Sequence, residues 1–154
     1  AVKIEGGEEV LPAIRHMIKI GVPVMGHLGL TPQSVNQFGG YGLRAKEEAE
    51  AEKLLHDAKL LDEAGCFAIT LEKIPAALAE KVTKAVSCPV IGIGAGNGTD
   101  GQVLVLHDML GLNQGFKPKF LRHFAKLGEE VKSAVSEYVS AVKDSSFPSV
   151  EESY

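Results

Sequence analysis

Short apolar runs alternate with stretches of helical period along the chain. Residues 2–5 read as a strand ending in Gly6-Gly7. The spacing then predicts a helix over 8–20, with Val10, Ile14, Met17 and Ile18 on one face and Gly21 as its stop. A second strand over 22–27 runs into a long Gly-rich connection, LGLTPQSVNQFGGYGL. Ordered connections of that length in compact domains are often functional. Leu54, Ala58 and Leu61 mark the apolar stripe of a helix over 46–64, which Gly65 caps. A third strand over 67–71 follows, then a helix opened by Pro75 with Leu78, Val82 and Val86 facing inward. The fourth strand, 89–93, enters the turn GAGNGTDG, and a fifth is expected over 103–106. A long helix over 119–143 carries Phe124, Leu127, Val131, Val135, Tyr138 and Val142 on one stripe, and the tail after 145 is loosely held.

Strand, helix, strand, helix implies parallel strands with covering helices. The strands are apolar on both sides, as buried parallel strands are. Two architectures compete: an open doubly wound sheet, flavodoxin-like in its five-strand count, and a (β/α)8 barrel. The barrel reading requires further strands ahead of Val2, since about five are visible. The chain starts without Met inside a strand, which suits that reading. The expected organisation is one barrel domain over 1–145 and a tail over 146–154.

The 45% apolar content supports a core of this kind. A net charge of −4, with both signs interspersed, provides no basic field for nucleic acid or acidic membrane. No apolar run reaches the roughly 18 residues of a membrane span, and the first residues lack signal-peptide features. Cys66 and Cys88 fit neither a metal spacing nor a disulfide framework and read as small buried thiols in a reducing, cytoplasmic compartment.

Candidate chemistry gathers at the C-terminal ends of strands, where ligands bind in parallel α/β folds. Lys3 and Glu5 are two apart and so share one side of a strand, roughly 7 Å apart. Together they can hold an acidic substrate and a Mg²⁺ ion, or form a structural ion pair. His27 follows a buried run and reads as a ligand or as a satisfied core histidine. Glu72, ending CFAITLE, is placed for a desolvated general base or for a surface loop. The turn after the fourth strand, with Asn97, Thr99 and Asp100, offers either an anion cradle or close packing through Gly92, Gly94 and Gly96. It is a poor match to a dinucleotide fingerprint. His107-Asp108 reads as polar ligands or as a helix-capping pair.

Several segments in this order carry a resemblance: VKIEGG, PVMGHLGLTPQSV, FGGY, DAKLLDEAG, LEKIPA, PVIGIGAGNGTDGQVLV, HDMLG and PKF. The chain resembles the C-terminal two-thirds of the ketopantoate hydroxymethyltransferase family over nearly its whole length. The resemblance implies a (β/α)8 barrel of which this chain supplies about the last five strands. It also implies transfer of a one-carbon unit from 5,10-methylenetetrahydrofolate to 3-methyl-2-oxobutanoate, giving 2-dehydropantoate for pantothenate synthesis. Mg²⁺ would be the metal and a ring-forming homo-oligomer, commonly a decamer, the assembly. By that resemblance Lys3 and His27 bind the oxo acid, Glu5 lies near the metal and Glu72 accepts the proton. Two departures stand out. No segment matches the family's two aspartate metal ligands, which lie upstream of VKIEGG. After FGGY, Gly42-Leu43-Arg44-Ala45 replaces a Lys-Val-Gln-Gly-like stretch. The rival expectations are a related Mg²⁺ barrel lyase or mutase acting on a 2-oxo acid or phosphoenolpyruvate, and an inactive barrel fragment.

Overall fold

The computed structural model of the protein describes residues 1–113, 115 and 117–154. The backbone gathers into two compact units, 1–103 and 104–154.

The first unit is a parallel sheet. Its strands are β1 (Val2–Glu5), β2 (Val24–Gly29), β3 (Ala68–Glu72), β4 (Val90–Ile93) and the two-residue β5 (Gly101–Gln102). All pairings are parallel and the spatial order is β1-β2-β3-β4-β5. That order decides between the two architectures. A doubly wound sheet reverses direction at a switch point, whereas a barrel adds each strand beside the last. This chain winds one way only.

The helices between strands are α1 (Leu11–Lys19), α2 (Glu48–Glu63) and α3 (Ala76–Thr83). Ile14 of α1, Leu54, Ala58 and Leu61 of α2, and Ala79 and Val82 of α3 form one core with Val24, Leu28, Ile69, Leu71 and Val90. Strand side chains alternate between faces, so these strand residues form one layer beneath the helices. The pairing register then places Lys3, Glu5, Met25, His27, Ala68, Thr70, Glu72, Ile91 and Ile93 on the opposite face. Hydrophobic burial against the helices thereby dictates which side chains face away from them.

Two expectations shift. The fifth strand lies at Gly101–Gln102, not over 103–106. Its apolar successors Val103, Val105 and Leu106 are exposed, and Leu106 already opens α4 (Leu106–Met109). The GIGAG turn is spent on packing. Asp100 accepts a hydrogen bond from the amide of Val90 at 2.8 Å. A Cβ on Gly96 would lie 2.4 Å from that of Ala76, and one on Gly92 would lie 2.8 Å from Thr99 Oγ1.

The second unit holds α4 and the long helix α5 (Leu127–Lys143). The helix starts later than the periodicity predicts, and Phe124 before it and the first two amides within it bond back to the end of α4 and the residues that follow. Phe124, Leu127 and Gly128 donate to the carbonyls of Met109, Leu110 and Gly111. Asp108 is buried and accepts from Asn113 Nδ2 at 2.6 Å, so the His107-Asp108 pair belongs to this unit's internal bonding. The tail forms a short 3₁₀ turn at Val150–Glu152 with Ser149 as its cap.

Candidate active site at the strand tips

Four side chains from three adjacent strands meet on the face turned away from the helices. His27, at the centre, is completely buried. Its Nδ1 lies 3.1 Å from Lys3 Nζ and 3.7 Å from Glu5 Oε1. On its other side, Nε2 lies 3.2 Å from Glu72 Oε2. Each separation follows from register. Glu5 pairs with His27 across β1 and β2, and Glu72 stands one pleat further on, opposite Gly29. Residues 67 positions apart in the chain thus share one histidine ring.

The ring's chemistry can be read from its neighbours. A lysine ammonium has three donors and no acceptor. Nδ1 therefore accepts from Lys3, and the ring proton sits on Nε2, facing the Glu72 carboxylate. That contact is in ion-pair range but lacks the alignment of a hydrogen bond, and among the described residues Nε2 has no other partner. Glu5 and Glu72 are partly open, with side chains 11% and 20% exposed, so both carboxylates can still reach a ligand. Glu5 is steadied by the amide of Gln33, which donates to Oε2 at 2.9 Å.

The residues suit a hard divalent cation in a limited sense. Mg²⁺ takes one or two protein carboxylates, with waters and substrate oxygens completing its shell. Among the described residues Glu5 Oε1 has no aligned hydrogen bond and can supply one such ligand. Among the described residues no three His, Cys, Asp or Glu side chains converge as an all-protein cage, an arrangement that Mg²⁺ does not require.

The loops that frame the strand tips are fastened to one another. The amide of Arg44 donates to the carbonyl of Lys73, immediately after Glu72, and Lys73 Nζ donates to the carbonyl of Tyr41. Arg44 pairs with Glu50 and stacks over Phe38 at 3.9 Å. A cleft of about 460 Å³ lies beside this framework, with Gly29, Thr31, Ser34, Arg44, Lys53 and Asp57 among its lining residues. None of the four clustered side chains lines it. Lys3, Glu5, His27 and Glu72, singled out from the sequence, are thus brought together. Thr99 bonds within its own turn, Asp100 holds the amide of Val90 at the start of β4, and Asn97 is exposed. The sequence reading passed over Asp57, although the signal was present: a carboxylate on the apolar stripe of α2, between Leu54 and Leu61.

A singly wound parallel sheet with carboxylates, an ammonium and an imidazole at adjacent strand tips fits the α/β-barrel class, in which ligands bind at that edge. Comparison with known proteins narrows the class. The sequence model of the family described as ketopantoate hydroxymethyltransferase matches residues 1–150, and the chain belongs to that family. Its relatives include proteins named 3-methyl-2-oxobutanoate hydroxymethyltransferase. That of Parabacteroides distasonis is 60% identical over 99% of this chain and 56% of its own length. Those of Bacteroides thetaiotaomicron and Flavobacterium johnsoniae are 58% and 57% identical over 100% of this chain. The chain spans 56 to 57% of the length of these relatives. Among solved structures, the YdjI aldolase from Escherichia coli K12 aligns with 71% of this chain and 46% of its own, at 15% identity and a TM-score of 0.41.

Proposed function

We propose that the protein transfers a hydroxymethyl group from 5,10-methylenetetrahydrofolate to C3 of 3-methyl-2-oxobutanoate, giving 2-dehydropantoate for pantothenate synthesis. The observation that carries this reading is the gathering of Lys3, Glu5 and Glu72 within 3.7 Å of one buried histidine. Membership of the family supports it.

The chemistry runs as follows. C3 of a 2-oxo acid is weakly acidic because its carbanion is conjugated with the ketone. Glu72 acts as the general base that takes the C3 proton. Lys3 neutralises the substrate carboxylate and holds it beside the base. His27 backs the pocket and keeps Lys3, Glu5 and Glu72 in register. Glu5 would hold a Mg²⁺ ion in part, and such an ion would supply stabilisation of the negative charge that builds on the ketone oxygen. The electron pair left at C3 forms the new C–C bond to the folate-borne methylene carbon. Both C–N bonds of that methylene break, the oxygen of water becomes its hydroxyl, and tetrahydrofolate departs with two protons on its freed nitrogens, one from C3 by way of Glu72 and one from the water.

The test separates the two half-reactions. In D₂O without folate, the protein with Mg²⁺ should exchange the C3 proton of 3-methyl-2-oxobutanoate, read by ¹H NMR. Glu72→Gln should slow exchange by about 10²-fold or more, on the scale of general-base catalysis, with oxo-acid binding largely retained. Wild-type exchange in that variant removes Glu72 from the role. Exchange without folate-dependent product would point instead to a related Mg²⁺ enzyme acting on another electrophile.

The same reading places the protein in the cytoplasm, as the two free thiols suggest, and no helix among the described residues is long and apolar enough to cross a membrane. It also makes the protein a homo-oligomer, a decamer by family resemblance. The support is an apolar stripe on α5 on which Val131, Val135, Tyr138 and Val142 are exposed.

A further inference from the structure

We propose that Asp57 is a positioning residue for the oxo-acid site: from α2 it clamps the turn that follows Lys3 and Glu5 at the end of β1. The inference rests on the function proposed above, and it concerns a residue that touches none of the four clustered side chains.

Asp57 stands on the face of α2 that packs into the core, between Leu54 and Leu61, and its side chain is 7% exposed. Burying a carboxylate among apolar neighbours is costly unless it is paired and hydrogen-bonded. Its two oxygens are used differently. Oδ2 accepts from Lys53 Nζ at 2.6 Å, one turn earlier on the same helix. Oδ1 accepts from the amide of Glu8 at 3.3 Å, 49 residues away in the chain. Glu8 lies three residues beyond Glu5.

The turn itself is shaped to receive this carboxylate. A Cβ on Gly7 would lie 2.2 Å from Asp57 Cγ and 2.3 Å from Oδ2. Only glycine permits that approach, and the contact is with a buried group that cannot swing away. Gly6 donates to the carbonyl of His27 at 3.1 Å, and Gly7 donates to Glu9 Oε1 at 3.1 Å. Lys53 completes the bracket, with Nζ 3.8 Å from Glu9 Oε2.

The β1 tip is therefore gripped on two sides. The amide of Gln33 holds the Glu5 side chain, and Asp57 holds the backbone just past it. An ordinary core position on α2 would be apolar. A carboxylate there stabilises little by itself, but it sets where β1 ends relative to β2. A displacement of about 1 Å at a reacting centre costs on the order of 10²-fold in rate or affinity, so a fixed tip matters for Lys3 and Glu5 more than for the core.

The test uses the whole protein with Mg²⁺, comparing Asp57→Leu and Asp57→Asn below their melting temperatures, with folding checked by circular dichroism. Asp57→Leu should raise the KM for 3-methyl-2-oxobutanoate by about tenfold or more, with the KM for the folate within about twofold of wild type. Asp57→Asn keeps an acceptor for Glu8 and should show a smaller rise. A folded Asp57→Leu with unchanged oxo-acid KM overturns the proposal, since a merely structural role would lower the melting temperature alone. If Asp57→Leu does not fold, the comparison passes to Asp57→Asn and Lys53→Met, and wild-type KM in both overturns it. If the wild-type protein neither binds nor exchanges the oxo acid, the function fails first. The clamp is then judged by amide hydrogen exchange at Gly7 and Glu8, where unchanged protection in Asp57→Asn would refute it.

Discussion

Gly29 and Glu72 face each other across β2 and β3 so closely that a Cβ on Gly29 would lie 2.3 Å from the Glu72 carbonyl oxygen. Gly29 also has φ of 90°, a conformation that L side chains rarely adopt. Strain and clash act on the same spot. Gly29→Ala should destabilise the protein by about 2–4 kcal/mol and slow C3 exchange by shifting Glu72. A urea midpoint and exchange rate equal to wild type would show that the backbone has room to yield.

The Lys3–His27 contact fixes a tautomer. In ¹⁵N NMR, His27 should show its proton on Nε2. Lys3→Met removes the donor to Nδ1 and should give a mixture of tautomers, with oxo-acid affinity weakened about tenfold through loss of a charge-assisted contact. An unchanged tautomer in Lys3→Met would mean that the surroundings, not the ammonium, orient the ring.

Asp62, near the C-terminus of α2, ties that helix to the approach to β4. Burial opposes its ionised form, but hydrogen bonds from the Ser87 amide and hydroxyl and from the Cys88 amide outweigh burial and hold the carboxyl below its usual range. Because the folded value is the lower one, the carboxylate's stabilisation is fully present above the unfolded value near pH 4. It is lost as pH falls through the folded value. Asp62→Ala should cost about 2 kcal/mol at pH 7, and the gap from wild type should close as pH falls through the lowered folded value. A difference that persisted at low pH would place Asp62's contribution elsewhere.

Neither cysteine should behave as a reactive thiol. Burial, reinforced by the nearby Asp62 carboxylate, pushes Cys88 up to about 12, and the same two causes raise Cys66. Since the thiolate is the nucleophile, iodoacetamide at pH 8 should leave both unmodified in the native protein and label both after denaturation. Cys66 is buried and Cys88 half-buried, and rapid native labelling of Cys88 would contradict the raised value of its thiol.

Much of this protein was legible in the amino-acid order because its signals are local. Alternating apolar runs and helical stripes mark the parallel α/β class. Lys3, Glu5, His27 and Glu72 could be picked out because a polar group ending a buried parallel strand has few purely structural reasons to be there. The tertiary structure alone decided what those residues do to one another. His27 is the hub because pairing register sets Glu5 and Glu72 on either side of its ring, and register depends on how whole strands pack. Asp57 joins Glu8 across 49 residues, a contact that no local period encodes. The late start of α5 and the two-residue length of β5 likewise appear only in the folded chain. Local periodicity dictates which face of an element is buried. Only the assembled sheet decides which buried and half-buried groups come within bonding distance.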